Sequence, residues 1–162
     1  MSVFRLNPID SDRDYQASFD VMRELRPHLT DAAAFTAQAR RQAEQGYRLL
    51  AVWQGDQVKA LAGYRLQENL LYGRFLYVDD LVTAADVRGH GLGAMLLDAL
   101  REEARRQDCA NFVLDTGMAN SLGQRFYFRQ GLLAMGLHFR QSLQVASVTK
   151  RDSAIAAARP AR

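Results

Sequence analysis

The chain has 162 residues, of which 48% are hydrophobic and 24% charged, with a formal net charge of +3 at pH 7. This length and composition suit one compact domain with its own core, and the single cysteine excludes an internal disulfide framework and cannot form a metal site alone, so we expect no metal. The modest positive charge gives no indication of nucleic-acid binding, and the absence of a signal-peptide-like or membrane-spanning apolar run leads us to expect a cytoplasmic protein without membrane association.

The first part of the chain predicts an edge strand and two helices. Residues 3–6 alternate apolar and polar side chains before an Asn-Pro pair, which is typical of an edge strand. Apolar residues then recur at helical spacing over 12–29. A Thr-Asp cap signal opens a second helix over 31–45, which ends before a glycine.

The middle of the chain predicts an antiparallel meander of three strands. These strands are expected over residues 47–54, 58–67 and 75–82, and a Gly55-Asp56 turn joins the first two. Because each run is short and bounded by turn residues, neighbouring strands are expected to pair in chain order.

The last part of the chain alternates helical and extended patterns. The predicted elements are a helix over 92–107, a strand over 111–114, a helix over 121–130 and two extended segments through 132–148. The complete order, β-α-α-β-β-β-α-β-α-β-β, indicates an α/β fold with a mixed central sheet flanked by helices. Residues 150–162 are rich in Ala and Arg without an apolar face, which indicates a frayed tail after a single domain of residues 1–149.

The stretch 86–94, DVRGHGLGA, places three glycines on alternate positions at the start of the predicted third helix. The first-turn N–H groups of a helix have no internal partners and carry the positive end of the helix dipole, so they attract anions. Glycines at 89, 91 and 93 would let a phosphate approach this backbone, and Arg88 adds a charged, forked donor. The pattern favours a pyrophosphate-like dianion, with a turn used only for close packing as the alternative.

Two other phosphate motifs fit this stretch less well. A Walker A loop is excluded because no Gly-Lys-Ser/Thr follows at the required distance. Gly89, Gly91 and Ala94 do fit the dinucleotide pattern G-x-G-x-x-A. That pattern should begin where a strand ends, whereas residues 83–88 intervene here, and too few residues follow for a second βαβαβ half. We therefore expect no NAD(P)H binding.

The same residues resemble a known family. Residues 88–93, RGHGLG, are similar to the R/Q-x-x-G-x-G/A motif of the GNAT N-acetyltransferase superfamily, and the preceding YVDDLVT (77–83) resembles its fourth strand. Asn120, followed seven residues later by Tyr127 and then by Gly131, resembles the N-x6-Y-x3-G signature of the family. The predicted element order also agrees, so the resemblance covers nearly the whole chain except the tail.

The resemblance implies an acyltransferase that moves an acetyl group from acetyl-CoA to a primary amine of a small molecule or peptide by direct attack. It places the CoA pyrophosphate on the N–H groups of residues 88–94 and the pantetheine arm along the strand before them, like an added strand. The implied cofactor-binding residues are Leu81, Val82, Thr83, Arg88, Gly89, His90, Gly91, Leu92, Gly93, Ala94 and Asn120. Of these, His90 contributes only its backbone N–H.

Acetyl transfer to an amine needs a neutral nucleophile and a proton for the leaving thiolate. By resemblance, Tyr127 is the candidate general acid, because a phenol stays protonated at neutral pH. The alternative for Tyr127 is a core aromatic residue between Phe126 and Phe128. Gly123 stands where the family often has alanine, and it is expected to weaken its helix by up to about 1 kcal/mol.

Asp79 and Asp80 are adjacent carboxylates in an otherwise apolar strand, where charges are costly to bury unless they are paired or hydrated. Side chains alternate along a strand, so at most one of the two can face the substrate unless a bulge intervenes. Similarity to diamine acetyltransferases favours Asp79 as the base or water relay for a cationic amine. A structural role for either residue is the alternative.

One rival function comes from a different class, a non-catalytic sensor or interaction domain that binds acyl-CoA without turnover. The intact Tyr127 and the acidic pair argue against it. The sequence does not identify the acceptor amine. The final extended segments could pair across a homodimer.

Overall fold

The computed structural model describes residues 3–143. These residues divide into a first unit that ends at Leu132 and a second that begins at Leu133, and each is described by itself. No helix among the described residues has the length and apolarity needed to cross a membrane.

The first unit contains nine regular elements in the predicted order. In chain order they are β1 (Phe4–Pro8), α1 (Asp12–Leu25), α2 (Ala32–Glu44), β2 (Arg48–Gln54), β3 (Gln57–Asn69), β4 (Gly73–Thr83), α3 (Leu92–Arg106), β5 (Asn111–Leu114) and α4 (Ser121–Arg129). A short 3₁₀ turn, Ala85–Val87, lies between β4 and α3. The α/β class and the first nine predicted elements are therefore confirmed.

The five strands form one mixed sheet in the order β1-β2-β3-β4-β5. The pairs from β1 to β4 are antiparallel, which confirms the predicted meander, and β5 pairs parallel to β4. Parallel neighbours need a crossover connection, and α3 supplies it. Helix α1 packs on β3 and β4, and α3 packs on β2, β3, β4 and β5.

The core lies between the sheet and these helices. Leu92, Leu96 and Leu100 recur at helical spacing on one face of α3, and all three are buried. They pack into one cluster with buried strand residues such as Leu61 and Leu76. Because the apolar face of α3 is fixed on the sheet, the start of α3 is fixed close to the end of β4.

Helix α1 ends four residues earlier than predicted. It begins at a capping box formed by Ser11 and Asp14, but it stops at Leu25 instead of residue 29. The reason is Pro27, whose ring disfavours helical backbone in the residue before it. Arg26 accordingly has φ −120° and ψ 71°, outside the helical region. This early end positions the Arg26 side chain at the candidate site.

The second unit has no regular structure over residues 133–143. The prediction of extended strands through 132–148 is therefore wrong for the part up to residue 143, while residues 144–148 lie outside the described residues. Alternating apolar residues are typical of a strand, but a strand is stable only within a sheet that supplies hydrogen-bonding neighbours. The predicted tail, 150–162, and the domain boundary at residue 149 also lie outside the described residues and stay predictions.

Candidate active site

A β-bulge in β4 sets the direction of the two candidate carboxylates. Tyr64 lies opposite Val78 and Gly63 lies opposite Asp80, so Asp79 is an extra residue of β4 without a partner on β3. Directly opposed residues share a face of the sheet, so Asp80 lies on the face of Gly63, and Val78 lies on the other face. The bulge thus breaks the simple alternation of side chains at the acidic pair.

Asp80 has partners on both carboxylate oxygens. Its Oδ1 accepts a hydrogen bond of 2.9 Å from Nε of Arg26. The Nη2 atom of Arg26 lies 2.7 Å from the same oxygen as an ion pair and donates to the backbone carbonyl of Asp79 at 3.0 Å. Its Oδ2 accepts a hydrogen bond of 2.7 Å from the Tyr47 hydroxyl. The Asp80 side chain is only 12% exposed. Because Pro27 ends α1 just there, the guanidinium of Arg26 reaches β4 from the end of the helix.

Asp79 is engaged less fully than Asp80. Both of its carboxylate oxygens accept from Nε of Arg65 at 3.2 Å, and its side chain is 25% exposed. Burial raises the pKa of the Asp79 carboxyl; Arg65 opposes this shift, and the charge of Asp80 adds to it. A carboxylate with a raised pKa is a stronger base. Asp79 is therefore the more available of the two carboxylates.

Gly63 makes room for the ring of Tyr47 above the sheet. A Cβ at Gly63 would lie 2.7 Å from both Cε2 and Cζ of Tyr47, and closer still to its hydroxyl oxygen. Burial raises the pKa of Tyr47 well above its usual value and the charge of Asp80 adds to this, so the hydroxyl stays a donor. The guanidinium of Arg65 lies 5.2 Å from the centre of the same ring. One glycine thus permits the contact that orients Asp80.

A second tyrosine–aspartate pair borders this network. Tyr77 lies opposite Arg65, hence on the same face, and its hydroxyl donates a hydrogen bond to Asp115, which directly follows β5. Burial raises the pKa of Tyr77, and the hydrogen bond to Asp115 and the charge of Asp79 add to the shift. Asp115 thus brings a third carboxylate to the border of the Asp79–Asp80 pair.

The edge of β4 opens just beyond this cluster. The β4–β5 pairing runs from Phe75 opposite Asn111 to Val78 opposite Leu114 and stops there. Among the described residues, 80–83 therefore have a strand neighbour on one side only, which is β3. An open edge can accept an extended ligand as an added strand. Residues 81–83, expected to contact pantetheine, lie on this edge.

The start of α3 presents backbone amides without partners. Within residues 3–143, the N–H groups of Leu92, Gly93 and Ala94 donate no hydrogen bond. The next amide, that of Met95, donates to the carbonyl of Gly91 at 3.0 Å. Three adjacent unpaired N–H groups at a helix start form a ready anion site.

The three glycines of this loop serve two purposes. Gly89 and Gly91 have φ values of +84° and +79°, a left-handed conformation that other residues rarely adopt. Among the described residues, a Cβ on either one would meet no atom within 4 Å, so these residues leave the space before them open. A Cβ on Gly93 would instead lie 3.2 Å from Cζ of Phe126 in α4. Gly93 therefore serves close helix packing, the alternative considered from the sequence.

Arg88 and His90 already have hydrogen-bond partners within the protein. Arg88 donates from Nε to the carbonyl of Thr83 at 3.3 Å and from Nη2 to Glu24 at 2.9 Å, while its side chain stays 64% exposed. The Nδ1 atom of His90 lies 3.0 Å from the carbonyl of Val87, and its backbone N–H donates to the same oxygen at 3.4 Å. Arg88 thus keeps unused donors, whereas the N–H of His90 is already engaged.

Asn120 caps α4, and Gly123 leaves the space for that cap. The Oδ1 of Asn120 accepts from the N–H of Gly123 at 3.0 Å, and its Nδ2 donates to Oγ1 of Thr116 at 3.1 Å. A Cβ at Gly123 would lie 2.8 Å from Cγ of Asn120. Gly123 therefore does more than weaken the helix, because alanine there would displace the capping side chain.

Tyr127 presents an uncommitted phenol on α4. Its ring packs edge-on against Phe126 with the ring centres 5.4 Å apart, and its side chain is half-buried. Burial raises the pKa of Tyr127. Within the described part of the chain its hydroxyl makes no hydrogen bond. A protonated hydroxyl without a protein partner is free to donate to a ligand.

Sequence reasoning missed the residues that hold the carboxylates. Arg65 could have been found, because adjacent carboxylates in a strand need cations and the β3–β4 hairpin brings Arg65 opposite Tyr77. Arg26, Tyr47 and Asp115 come from distant parts of the chain, and only the tertiary fold brings them together.

Comparisons with known proteins agree with this arrangement. The model of the acetyltransferase (GNAT) family matches residues 13–132. The chain is 27% identical over 125 residues to the uncharacterised N-acetyltransferase YhdJ of Bacillus subtilis, covering 77% of this chain and 88% of that protein. The fold is similar to that of a Trypanosoma brucei acetyltransferase, with a TM-score of 0.74 and 19% identity over 87% of this chain and 100% of the other.

A further similar structure contains a CoA derivative. It is AAC(6')-Iy in complex with the bisubstrate analogue CoA-S-monomethyl-acetylneamine, with a TM-score of 0.73, 11% identity, and coverage of 87% of this chain and 99% of the other. At this identity the likeness concerns the fold alone.

The chain belongs to the acetyltransferase (GNAT) family, because the family model spans most of its length. It is an acyltransferase, and the family resemblance seen in the sequence is confirmed. Members of this family use acetyl-CoA as the donor and act on amine acceptors.

Proposed function

We propose that this protein transfers the acetyl group of acetyl-CoA to a primary amine of a small molecule or peptide, by direct attack of the amine on the thioester. One observation carries the proposal: the carboxylates proposed to bind the amine, the acceptor half-site, and the strand edge proposed to bind acetyl-CoA, the donor half-site, lie on a single stretch of β4. Asp79 and Asp80, held on one face, directly precede the open edge at residues 81–83. That edge leads within ten residues to the unpaired amides of α3.

The donor half-site is formed by the edge of β4 and the start of α3. The pyrophosphate binds the N–H groups of residues 92–94, and the open space before Gly89 and Gly91 supports this fit. The pantetheine arm pairs with residues 81–83 as an added strand. Arg88 adds positive charge, and Asn120 lines the site from the start of α4.

The acceptor half-site is the carboxylate cluster on the face of β4 that carries Asp80. The adjacent carboxylates of Asp79 and Asp80 favour a cationic amine such as a polyamine, an amino acid or a lysine side chain. Asp79 acts as the base because burial raises its pKa and its oxygens are less engaged. Asp80 is a positioning residue that orders Arg26 and Tyr47.

The chemical step balances with these groups. The ammonium gives one proton to Asp79, directly or through water, and the neutral nitrogen then attacks the thioester carbon. The C–N bond forms and the C–S bond breaks, and the departing thiolate takes a proton from the Tyr127 hydroxyl. The second nitrogen proton leaves to water as the amide forms. Asp79 then returns its proton to solvent and Tyr127 is reprotonated from solvent, so the turnover releases one proton overall. The burial that raises the pKa of Tyr127 also raises the pKa of a thiolate in the same place, so donation stays feasible.

The proposal is tested by measuring free CoA thiol released from acetyl-CoA in the presence of a panel of cationic, neutral and anionic amines. We expect amine-dependent release with at least one cationic amine. For that amine, Tyr127→Phe should lower kcat by about 10²- to 10⁴-fold, the usual contribution of a general acid. The acetylated product is identified by mass spectrometry.

The control is Tyr72→Phe, which removes a hydroxyl from the tip of the β3–β4 hairpin, outside the proposed site. It should retain the wild-type kcat. If Tyr127→Phe retains the wild-type kcat as well, the assignment of the general acid is wrong. If only neutral or anionic amines react, the proposed cationic acceptor is wrong.

A further inference from the structure

Glu24 links the last turn of α1 to the segment that leads into the glycine loop. Its Oε2 accepts a hydrogen bond from Nη2 of Arg88 at 2.9 Å, and its Oε1 accepts one from the N–H of Ala85 at 3.2 Å. Both partners lie within eight residues of the unpaired amides of α3. Glu24 therefore holds both the arginine that the proposed function assigns to the CoA pyrophosphate and the backbone that leads into the glycine loop.

Glu24 and a bound phosphate would compete for the guanidinium of Arg88. Within residues 3–143 the other hydrogen bond of Arg88 runs from Nε to the carbonyl of Thr83 at 3.3 Å, and its side chain is 64% exposed. Carboxylates and phosphates bind the same forked guanidinium donors. The Nη2–H group that donates to Glu24 therefore cannot donate at the same time to a phosphate bound at the glycine loop.

The charge of Glu24 also acts on an anion directly. Its side chain is 32% exposed, so its field is only partly screened by solvent. A carboxylate beside a dianion repels it, whereas the neutral amides and the arginine attract it. The effect of Glu24 on a bound pyrophosphate is therefore unfavourable through both Arg88 and its own charge.

We infer that Glu24 is an affinity-limiting residue, which weakens the binding of acetyl-CoA and of the CoA product by holding Arg88 and by repelling the pyrophosphate. The inference rests on the proposed function, since it concerns the same donor half-site. By weakening the binding of CoA, Glu24 on α1 would speed the release of the CoA product, although it lies outside the glycine motif.

The test is Glu24→Gln, which removes the charge but keeps an oxygen that can accept from the N–H of Ala85. Calorimetric titration with CoA should give a Kd roughly two- to fivefold lower than that of the wild type, the range expected for losing one partly exposed competing ion pair. In an Arg88→Gln background the same substitution should tighten binding less, because the competition for the guanidinium is gone.

Glu102→Gln is the matched control, because Glu102 pairs with Arg105 on the exposed side of α3. It should leave the Kd for CoA unchanged. If the wild type binds CoA and Glu24→Gln binds it equally or more weakly, the inference is overturned while the proposed function stands. If the wild type binds no CoA at all, the proposed function fails and the inference fails with it.

Discussion

At the scale of single residues, the two adjacent aspartates of β4 differ in how fully they are engaged. Asp80 has a partner on each oxygen, whereas Asp79 shares one Nε of Arg65 between both oxygens at 3.2 Å. Burial raises the pKa of Asp79. The two residues should therefore respond differently to the same substitution.

We predict that Asp79→Asn lowers kcat by about 10²- to 10⁴-fold through loss of the general base. Asp79 acts as a base only when it is ionised, and its raised pKa shifts that requirement to higher pH. The wild-type kcat/KM should therefore fall as the pH drops through a pKa above the ordinary aspartate value of about 3.9. Asp79→Asn should lack this acidic limb in a pH–rate profile.

The comparison variant is Asp80→Asn, which should keep most of kcat. It should lower the free energy of unfolding by about 1–3 kcal/mol, because it weakens the hydrogen bonds from Tyr47 and Arg26. Urea denaturation measures this loss. A larger loss of kcat in Asp80→Asn than in Asp79→Asn would reverse the two roles.

At the scale of elements, the bulge in β4 and the early end of α1 together build the acceptor half-site. The bulge lies opposite the step from Gly63 to Tyr64, and it brings Asp80 to the face that carries Arg65. The proline that ends α1 turns Arg26 toward the same face. Neither strand nor helix would present these groups together if its geometry were regular.

We predict that Gly63→Ala lowers the free energy of unfolding by about 1–3 kcal/mol, the usual cost of overpacking. The added Cβ would lie 2.7 Å from two carbons of the Tyr47 ring, so the ring must move and lose its hydrogen bond to Asp80. Chemical denaturation measures the loss. Gly117→Ala is the control, because a Cβ there meets no atom of residues 3–143 within 4 Å. Equal stability of the two variants would contradict the packing described for Tyr47.

Gly123 shows why prediction of an element from sequence stops at side-chain packing. Helix propensity predicts that Gly123→Ala stabilises α4 by up to about 1 kcal/mol. The structure adds a cost of similar size, about 1 kcal/mol, because the new Cβ displaces the Asn120 cap. The two contributions offset each other, and only the contact geometry reveals the second.

At the scale of the whole molecule, local patterns predicted the order of elements well. Apolar periodicity, caps and turns located nine elements to within a few residues, because these signals act along neighbouring positions. The predicted end of α1 was wrong, although Pro27 in the sequence already indicates an earlier end. The strands predicted after residue 132 did not appear over 133–143, because strand formation also depends on a distant neighbour.

The candidate site was predicted in part for the same reason. The glycine loop, the acidic pair and the Asn120–Tyr127 spacing are local motifs and could be read directly. Arg26, Tyr47 and Glu24 carry no motif, and each reaches the site from more than thirty residues away. Their roles follow only from the fold.

The most direct test of the account is the change in melting temperature caused by acetyl-CoA and by CoA, with NADH and ATP as parallel controls. A ligand at about 100 times its Kd stabilises the folded state by about 2.7 kcal/mol, which for a domain of this size raises Tm by roughly 5–10 °C. If the glycine loop binds the CoA pyrophosphate, we expect such a rise with acetyl-CoA and CoA and little change with NADH or ATP. No rise with either CoA species, or a larger rise with NADH, would contradict the assignment of the glycine loop and of the donor half-site.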